Sequence, residues 1–543
     1  MTAAAYLTNG RIYSMEAETG VYTSMLISGG LVQSLHRQGE SPDLPRGCRV
    51  IDLEGKTVLP GFTDCHAHFL PSAILHSTGC SVSRVSGGKL TPEAVAAVIE
   101  ILVRFAGEGR NKKAPVIGFN CIVPSLRERR LPFREELDKA LPGRQVVILG
   151  MDGHASSYSS PALEALGIDP AGHEGILIGE EHDMHIGRLT DLVMKSLSFR
   201  DILTALQEFS FHAAFRGITC VHCLEGSEDK PNNLAIRLLI LAARILPIRL
   251  KLYLQYKDTE AVRPFVKHLS HPRLGGCQAW EMDGSVGSQT AAFFEAYPGT
   301  NDNRGVCYYT TEEILPYVEK AHREGFQLTA HGIGPRGIET LLAAYEQVLK
   351  HEPPGTNPHR HRIDHFEFPR VDQVKRAIED LGLLVTVQPG YTWMDQRYQQ
   401  AYRQYLSPEQ IQSQVPLKRI ADLGGIICGS SDTPVQDPDP FLQIQGMVDF
   451  PVAEQSLSMY QALRTYTYNG AYSGFEENTR GTLGPGKAAD FIILSKDPFT
   501  LPKGAVAGTA PEETWIAGKT VVKRLLPAWL FLLKALLSPK KKV

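Results

Sequence analysis

The sequence predicts an α/β protein built as a TIM-like (β/α)8 barrel, with a small β-sandwich domain formed from both termini. Two observations lead to this fold class. Short apolar runs alternate with helical stretches through the middle of the chain, as in parallel sheets, and short strand-like runs separated by turn residues occupy both ends. A doubly wound open sheet is the alternative, but no G-x-G-x-x-G loop opens a helix here.

Turn residues define the strands at the two ends of the chain. Asn9-Gly10 separates two strand-like runs, Gly29-Gly30 repeats the pattern, and Gly518-Lys519 marks a turn near the C-terminus. We therefore predict one β-sandwich from residues 1–56 and 480–523, with the barrel and its insertions between them at 57–479.

Strand–helix units fill the middle segment. Helical spacing over 371–382 follows a proline, and Gly382 is placed to cap that helix. The strand-like runs are QVVILG, ITCVHCL, IRLKLYL, FQLTAHG, LLVTVQPG and GGIICGSSD. Repeated units of this kind over most of the chain favour the barrel.

Composition narrows the class of protein. The 543 residues are 43% hydrophobic and 21% charged, as in ordinary globular proteins, and a net charge of -3 gives no reason to expect nucleic acid as a partner. Nine scattered cysteines fit a reduced protein better than a disulfide framework. With no signal peptide and no apolar run of about 20 residues, we predict a cytoplasmic location.

The stretch VLPGFTDCHAHFL, residues 58–70, places two histidines just after an apolar run. In an extended segment, side chains two residues apart point to the same side, so His66 and His68 can reach one metal ion. Three more candidate ligands end other strand-like runs, namely His331, His365 and Asp432. The carboxyl ends of barrel strands lie together, and zinc accepts this mixture of imidazole and carboxylate. The set predicts a divalent metal site with one or two ions.

An ordered series of motifs resembles the metal-dependent amidohydrolase superfamily, in its YtcJ-like branch (amidohydrolase family 3). The series is GKTVLPGFTDCHAHF, DGHASSYSSPALEALGI, DGSVGSQTAAF, HGIGPRGIETLLAAYE, RIDHFEFP, VTVQP, GSSDTPV and GTLGPGKAADFIIL. The resemblance implies a metal-binding barrel that hydrolyses amide or related bonds. It implies metal binding by the five residues named above, proton transfer by Asp432 assisted by His365, and substrate binding by His154, Asp283 and Gln388.

Two positions depart from this pattern. Related sequences carry a lysine four residues before the Asp-Gly of the DGS motif, which can be carboxylated to bridge two metals; here that place is Ala279. Glu281 lies two residues later, on the same face of a regular strand. We predict it as a replacement metal ligand, with a role behind the ligands or toward substrate as the alternative. Pro335 stands where relatives have an acid, which indicates an altered substrate pocket.

The function predicted from these residues is hydrolysis of non-peptide C–N bonds, such as N-acyl or N-formyl amides. A bound metal makes hydroxide available near neutral pH, and Asp432 would act as general base and then general acid. Ester or lactone hydrolysis and deamination by the same site stay open as alternatives. A metal-binding scaffold without catalysis is the alternative from another class.

The C-terminal segment 524–543 combines an apolar run with three terminal lysines. One interpretation is an amphipathic helix resting on an anionic membrane surface, where lysines add electrostatic attraction. The other is packing of its apolar face on the barrel or on a second copy of the chain, as in a homo-oligomer. The remaining predicted partner is a small-molecule substrate.

Overall fold

A computed structural model describes residues 4–86, 89–108, 114–226, 234–400 and 402–543. Eight strands form one parallel sheet: β1 Phe62–Ala67, β2 Ile218–Glu225, β3 Arg249–Leu254, β4 Arg273–Glu281, β5 Gln327–Gly332, β6 Arg362–His365, β7 Leu384–Val387 and β8 Ile427–Gly429. Each pairs in parallel with the next in chain order. These strands are buried almost throughout, which explains their continuous apolar runs.

Backbone hydrogen bonds beyond the strand ends link β8 back to β1. The amide of Asp432 donates to the carbonyl of His66, and the amide of His68 donates to that of Thr433, both at 2.9 Å. The sheet is therefore nearly closed, and the predicted TIM-like barrel is confirmed. The same bonds hold three candidate ligands at the junction between the first and last strands.

Helices surround the barrel, and their ends follow local capping chemistry. Thr310 precedes the helix Thr311–Arg323, and its hydroxyl accepts the Glu313 amide while the Glu313 carboxylate accepts the Thr310 amide. The other helices around the barrel are Phe69–Thr78, Phe199–Phe215, Leu234–Ala242, Thr259–Val266, Pro335–Leu349, Val371–Lys375, Pro389–Met394, Tyr402–Tyr405, Pro408–Gln412, Leu417–Asp422, Pro440–Val448, Met459–Tyr466 and Tyr468–Ser473.

The helix predicted over 371–382 begins at Val371 as expected and ends near Gly382. After Val371–Lys375 the backbone continues as a wider turn through Arg376–Asp380. Gly382 has φ +60°, and a Cβ there would lie 2.2 Å from the carbonyl oxygen of Gly355. Only glycine fits this close approach, so the predicted helix stop is confirmed.

A second sheet is inserted between β1 and β2. Its five strands, in spatial order, are Ile176–Ile178, Ala155–Tyr158, Val146–Gly150, Val116–Cys121 and Cys80–Ser81. The run QVVILG belongs to this insertion and not to the barrel. A hairpin of Arg84–Ser86 and Lys89–Thr91 and the helices Val95–Gly107, Arg134–Ala140, Ser160–Leu166 and Glu180–Lys195 complete it.

Strands from both ends of the chain meet in two further sheets. Phe491–Leu494 pairs antiparallel with Thr57–Pro60, in a sheet that also holds Arg11–Tyr13, Val21–Tyr22, Glu513–Ile516 and Lys519–Thr520. A four-stranded sheet of Leu31–His36, Ser24–Ser28, Ala5–Thr8 and Arg49–Asp52 shares its hydrophobic core, which includes Met25, Val58 and Trp515. The β-sandwich as a domain of its own, and the boundaries of the domains, stay predictions.

The tail helix Ala528–Leu537 lies against the helices Phe199–Phe215 and Leu234–Ala242. Phe531 and Ala535 are buried on its inner side, and the terminal Val543 exchanges backbone hydrogen bonds with His268 and Ser270. Across the described ranges, every helix falls short of the length and apolarity that a bilayer-crossing segment needs. The tail therefore packs on the barrel, while membrane contact and self-association stay predictions.

Candidate metal centre and substrate cavity

A cavity of about 1100 Å³ opens at the carboxyl ends of the barrel strands. Barrel loops and the inserted sheet both line it, so the insertion forms one wall. Among the predicted site residues, those that line the cavity are His68, His154, Glu281, His331, His365, Gln388 and Asp432. The barrel geometry thus brings together residues that are hundreds of positions apart in the chain.

Two imidazoles of this site face one carboxylate oxygen. Oδ1 of Asp432 lies 3.2 Å from Nε2 of His66 and 3.4 Å from Nε2 of His68. His66 is fully buried near the end of β1, and His68 directly precedes the helix Phe69–Thr78. Asp432 has φ +57°, a conformation that costs a non-glycine residue on the order of 1 kcal/mol or more. The fold holds this carboxylate against the two histidines despite that cost.

A carboxylate beneath His66 fixes the orientation of its ring. Oδ2 of Asp364 lies 3.0 Å from Nδ1 of His66, and Oδ1 of Asp364 accepts a hydrogen bond from Arg362 at 3.0 Å. Because Asp364 accepts the Nδ1 proton, Nε2 is the ring nitrogen that faces Asp432. This is the arrangement by which second-layer carboxylates orient metal-binding histidines.

His365 is oriented in the same way from the other side. Its Nδ1 lies 2.9 Å from Oε1 of Gln388, whose amide nitrogen donates to Ser430 at 2.9 Å. Within the described chain, Nε2 of His365 is buried and has no hydrogen-bond partner. Gln388, predicted to bind substrate, thus also positions His365.

A second cluster lies beside the first. His154, Glu281 and His331 bring one potential ligand atom each to within 4.8 Å of one another. The rings of His331 and His365 are 4.4 Å apart between centroids, so His365 joins the two clusters. Glu281 therefore groups with His331 and His154, and its predicted role as a ligand stays open.

The strand β4 is irregular where it enters the site. Gly276 pairs with Ala330 and Glu281 with the next residue, His331, so four residues of β4 bulge out between them. Gly275 has φ +112°, and a Cβ there would lie 1.9 Å from the carbonyl oxygen of Thr329. The glycine pair allows this bulge, and simple strand alternation does not describe residues 277–280.

The bulge carries a cysteine into the first cluster. Sγ of Cys277 lies 3.7 Å from Nε2 of His66, and Cys277, His66 and His365 form a third group of closely spaced ligand atoms. Burial raises the pKa of the Cys277 thiol to about 12. The comparison with the family motif directed attention to Ala279 and Glu281 and missed this residue, although regular alternation would also place Cys277 on their face of the strand.

Two acidic residues of the motifs are buried and stabilise the loops that carry the site. Asp283 is fully buried and accepts the amides of Ala292, Ile333 and Gly334 at 2.6–2.9 Å, which anchors the loops after β4 and β5. Burial raises the pKa of Asp283 to about 7. Asp283 does not line the described cavity, so its predicted contact with substrate stays a prediction.

Asp64 has a similar role between the first and last strands. Its carboxylate accepts the amide and the hydroxyl of Ser431, at 3.1 and 2.5 Å, and so ties β1 to the segment that carries Asp432. Burial raises the pKa of Asp64 to about 6. Asp64, two residues before His66, therefore holds the segment of Asp432 against β1.

The charges of the first cluster suit a bound cation. Burial disfavours charge on His66, yet the carboxylates of Asp432 and Asp364 outweigh it and raise the pKa of His66 well above its ordinary value. Burial lowers the pKa of His365 to about 4, which keeps that imidazole neutral, the form that binds metals. The carboxylates of Asp432 and Asp364 thus favour a positive charge at this point, which a proton on His66 supplies without metal and a divalent cation would supply when bound. The residues present therefore fit a metal ion.

Comparison with solved structures identifies the class of fold. An uncharacterized metal-dependent hydrolase from Pyrococcus furiosus superposes with a TM-score of 0.70 at 23% identity, covering 92% of this chain and 100% of that one. It shares the barrel fold described above.

The sequence then identifies the family. Residues 49–522 match the amidohydrolase family Amidohydro_3, and the chain belongs to that family. A putative amidohydrolase, YtcJ of Bacillus subtilis, is 25% identical over 95% of this chain and 98% of its own. An N-substituted formamide deformylase of Arthrobacter pascens is 23% identical over 94% and 96%. The resemblance stated from the motifs is confirmed, and these relationships support a hydrolase.

Proposed function

We propose that the protein is a metal-dependent hydrolase of non-peptide C–N bonds, acting on N-acyl or N-formyl amides. The observation that carries this proposal is the meeting of His66, His68 and Asp432 around one point at the edge of a large cavity. The name of the Arthrobacter relative, a deformylase of substituted formamides, supports the same bond type. Zinc is the metal that we propose, because it accepts both imidazole and carboxylate.

A divalent cation held by these residues would supply Lewis-acid activation of water and of the scissile carbonyl. Asp432 lies next to the ligand nitrogens, so its carboxylate takes a proton from the attacking water. The water oxygen bonds to the carbonyl carbon and the C–N bond breaks. Asp432 then delivers its proton to the leaving nitrogen, which gives an amine and a carboxylic acid.

His365 and Gln388 help to position the reacting groups. Gln388 holds Nδ1 of His365, so that Nε2 points toward the reaction centre. Tyr391 lines the same cavity, and in the described part of the chain its buried hydroxyl has no hydrogen-bond partner. That hydroxyl offers a donor to a carbonyl oxygen of the substrate.

The cavity wall favours amides with bulky apolar substituents. Its lining away from the ligands is rich in aliphatic and aromatic side chains, including Phe119, Leu149, Ile178, Tyr309 and Tyr405. Burial of a hydrocarbon group there contributes roughly 25 cal/mol per Å² of apolar surface. N-formyl and N-acyl derivatives of aryl or long alkyl amines match this lining.

The test is turnover by metal-replete protein of N-formyl and N-acyl amides, with the matching esters and amino-heterocycles in parallel. We expect amide hydrolysis that falls about 10²–10⁴-fold in Asp432→Asn, the usual contribution of a general base. Metal content of the variant, by elemental analysis, separates loss of the base from loss of the ion. Turnover of esters or amino-heterocycles without turnover of amides would overturn the proposed amide specificity. No turnover of any substrate class would favour the metal-binding scaffold without catalysis.

All nine cysteines are free thiols in the structure. We propose a cytoplasmic location because the scattered positions of the nine cysteines fit a reducing compartment better than a disulfide framework.

A further inference from the structure

Cys277 lies inside the candidate metal site, although none of the sequence motifs points to it. Its Sγ lies 3.7 Å from Nε2 of His66, and the side chain lines the cavity with only 7% exposure. Sγ, a ring nitrogen of His66 and a ring nitrogen of His365 all lie within 4.8 Å of one another. Three ligand atoms at this spacing can surround one metal ion, given metal–sulfur and metal–nitrogen bonds of roughly 2.0–2.3 Å.

The backbone of β4 directs the thiol there. Gly275 and Gly276 have φ of +112° and +128°, and Gln278 has φ +56°. The amide of Cys277 donates to Oε1 of Gln255 at 2.9 Å, so the residue that follows β3 holds the bulge in place. Cys277 is thus a fixed part of the site.

A second observation points independently to a ligand at the same place. His365 is 6% exposed, and its Nδ1 is engaged by Gln388. Its Nε2 is buried and has no hydrogen-bond partner within the described ranges. A buried imidazole nitrogen without a partner costs free energy unless something binds it, and a metal ion between His365, His66 and Cys277 would satisfy it.

We propose that Cys277 is a metal ligand, binding as a thiolate the cation that His66 and His365 also bind. The inference rests on the proposed metal-dependent function. On binding, a metal–sulfur bond forms and the thiol proton leaves to solvent, with no change of oxidation state. Zinc binds thiolates readily, so the soft ligand suits the metal proposed above.

The other candidate side chains of β4 do not fill this place. Ala279 has no donor atom, and Glu281 belongs to the cluster of His154 and His331. Cys277 is therefore the residue of β4 that supplies a ligand atom next to His66. The anionic thiolate would also offset the charge of a cation in a buried setting.

The experiment uses full-length protein reconstituted with Co²⁺, whose absorption spectrum reports thiolate ligands through an intense near-ultraviolet charge-transfer band. We expect this band in the wild-type protein and its loss in Cys277→Ser and Cys277→Ala, with metal affinity weakened at least about tenfold. Cys121→Ser is the matched control. Cys121 lines the same cavity, is 1% exposed and belongs to none of the three ligand clusters in the described chain.

The outcomes separate this inference from the proposed function. Cobalt binding without the charge-transfer band in wild-type protein would overturn the thiolate ligand and leave the metal site standing. Protein that binds no cobalt would overturn both. A band that persists in both Cys277 variants, or disappears in Cys121→Ser, would also overturn the assignment. Where one Cys277 variant fails to fold, the other still assigns the band, and absence of the band from wild-type protein would overturn the proposal without any variant.

Discussion

Nδ1 of His66 lies 3.0 Å from Oδ2 of Asp364, with both side chains fully buried. Arg362 lies on the other side of the same carboxylate, at 3.0 Å from Oδ1. Asp364, held by Arg362 inside the barrel, therefore fixes the orientation of the candidate ligand His66. The acid stands directly before His365 in the chain, within the motif RIDHFEFP.

Asp364→Asn should weaken metal binding and stability together. The amide no longer compensates the buried Arg362 charge, and loss of one partner from such a pair costs roughly 3–5 kcal/mol. It also holds His66 less firmly, for which we expect about 10–100-fold weaker zinc binding by chelator competition. Asp302→Asn, which alters an exposed ion pair with Arg304, is the control and should change neither. Wild-type zinc affinity in Asp364→Asn would contradict this account of the pair.

Substitution of Glu281 tests whether its carboxylate is needed to hold a second metal ion. Two adjacent cations without a bridging anion repel strongly in a poorly solvated site, so a second ion depends on this carboxylate. Where wild-type protein binds two ions per chain, we expect Glu281→Gln to lower the metal content to one, measured by elemental analysis. Glu180→Gln, at an exposed acid of the same cavity, should leave it unchanged. If Glu281→Gln keeps two ions, Glu281 acts toward substrate or behind the ligands.

Glu476 makes stability depend on pH. Burial disfavours its charge, but Arg480 and Lys251 outweigh burial and lower its pKa to about 2. A carboxyl group whose pKa falls on folding stabilises the protein above its unfolded pKa, near 4.5, and loses that contribution as pH falls toward 2. The full contribution is roughly 3 kcal/mol.

Thermal unfolding of metal-free protein from pH 7 to pH 3 measures this contribution. Glu476→Gln should be less stable than wild type at pH 7, and the difference should shrink steadily below about pH 4.5. A difference between the two proteins that stays constant over this range would rule out the ionised carboxylate as its source.

The outward face of the tail helix combines apolar and basic side chains. Trp529 is 67% exposed and Leu536 64%, while the segment after residue 516 contains no acidic residue. Its basic residues are Lys519, Lys523, Arg524, Lys534, Lys540, Lys541 and Lys542.

We expect sedimentation of the protein with vesicles that contain anionic lipid, and weaker sedimentation at high salt. Trp529→Ser with Leu536→Ser should reduce it at least several-fold, whereas Val50→Ser, at an exposed apolar residue elsewhere, should not. Equal sedimentation with neutral vesicles would argue against the electrostatic attraction.

The barrel and the histidine cluster could be predicted because each strand, and the type of side chain that follows it, can be recognised from a short stretch of sequence. His66, His331, His365 and Asp432 each follow an apolar run, and a parallel barrel brings such positions together. His154 came from the motif resemblance alone; it lines the cavity, and its role toward substrate stays a prediction.

What sequence reasoning missed depends on long-range geometry. The run QVVILG has the period of a barrel strand, and only its pairing partners place it in the inserted sheet. Cys277 was missed because the family motif points to position 279, and only the bulge after Gly275-Gly276 shows how the thiol reaches His66, although a glycine pair within a strand is itself a signal of a bulge. Asp364 lay in a quoted motif, but its hydrogen bond to His66 spans 298 residues.

The measurement that tests the central claim most directly is the metal content of purified wild-type protein and of His66→Ala, with circular dichroism to confirm folding. The account predicts at least one divalent ion per wild-type chain, and loss of metal and hydrolytic activity together in a folded His66→Ala protein. Normal metal content in that variant would contradict the assignment of the metal centre.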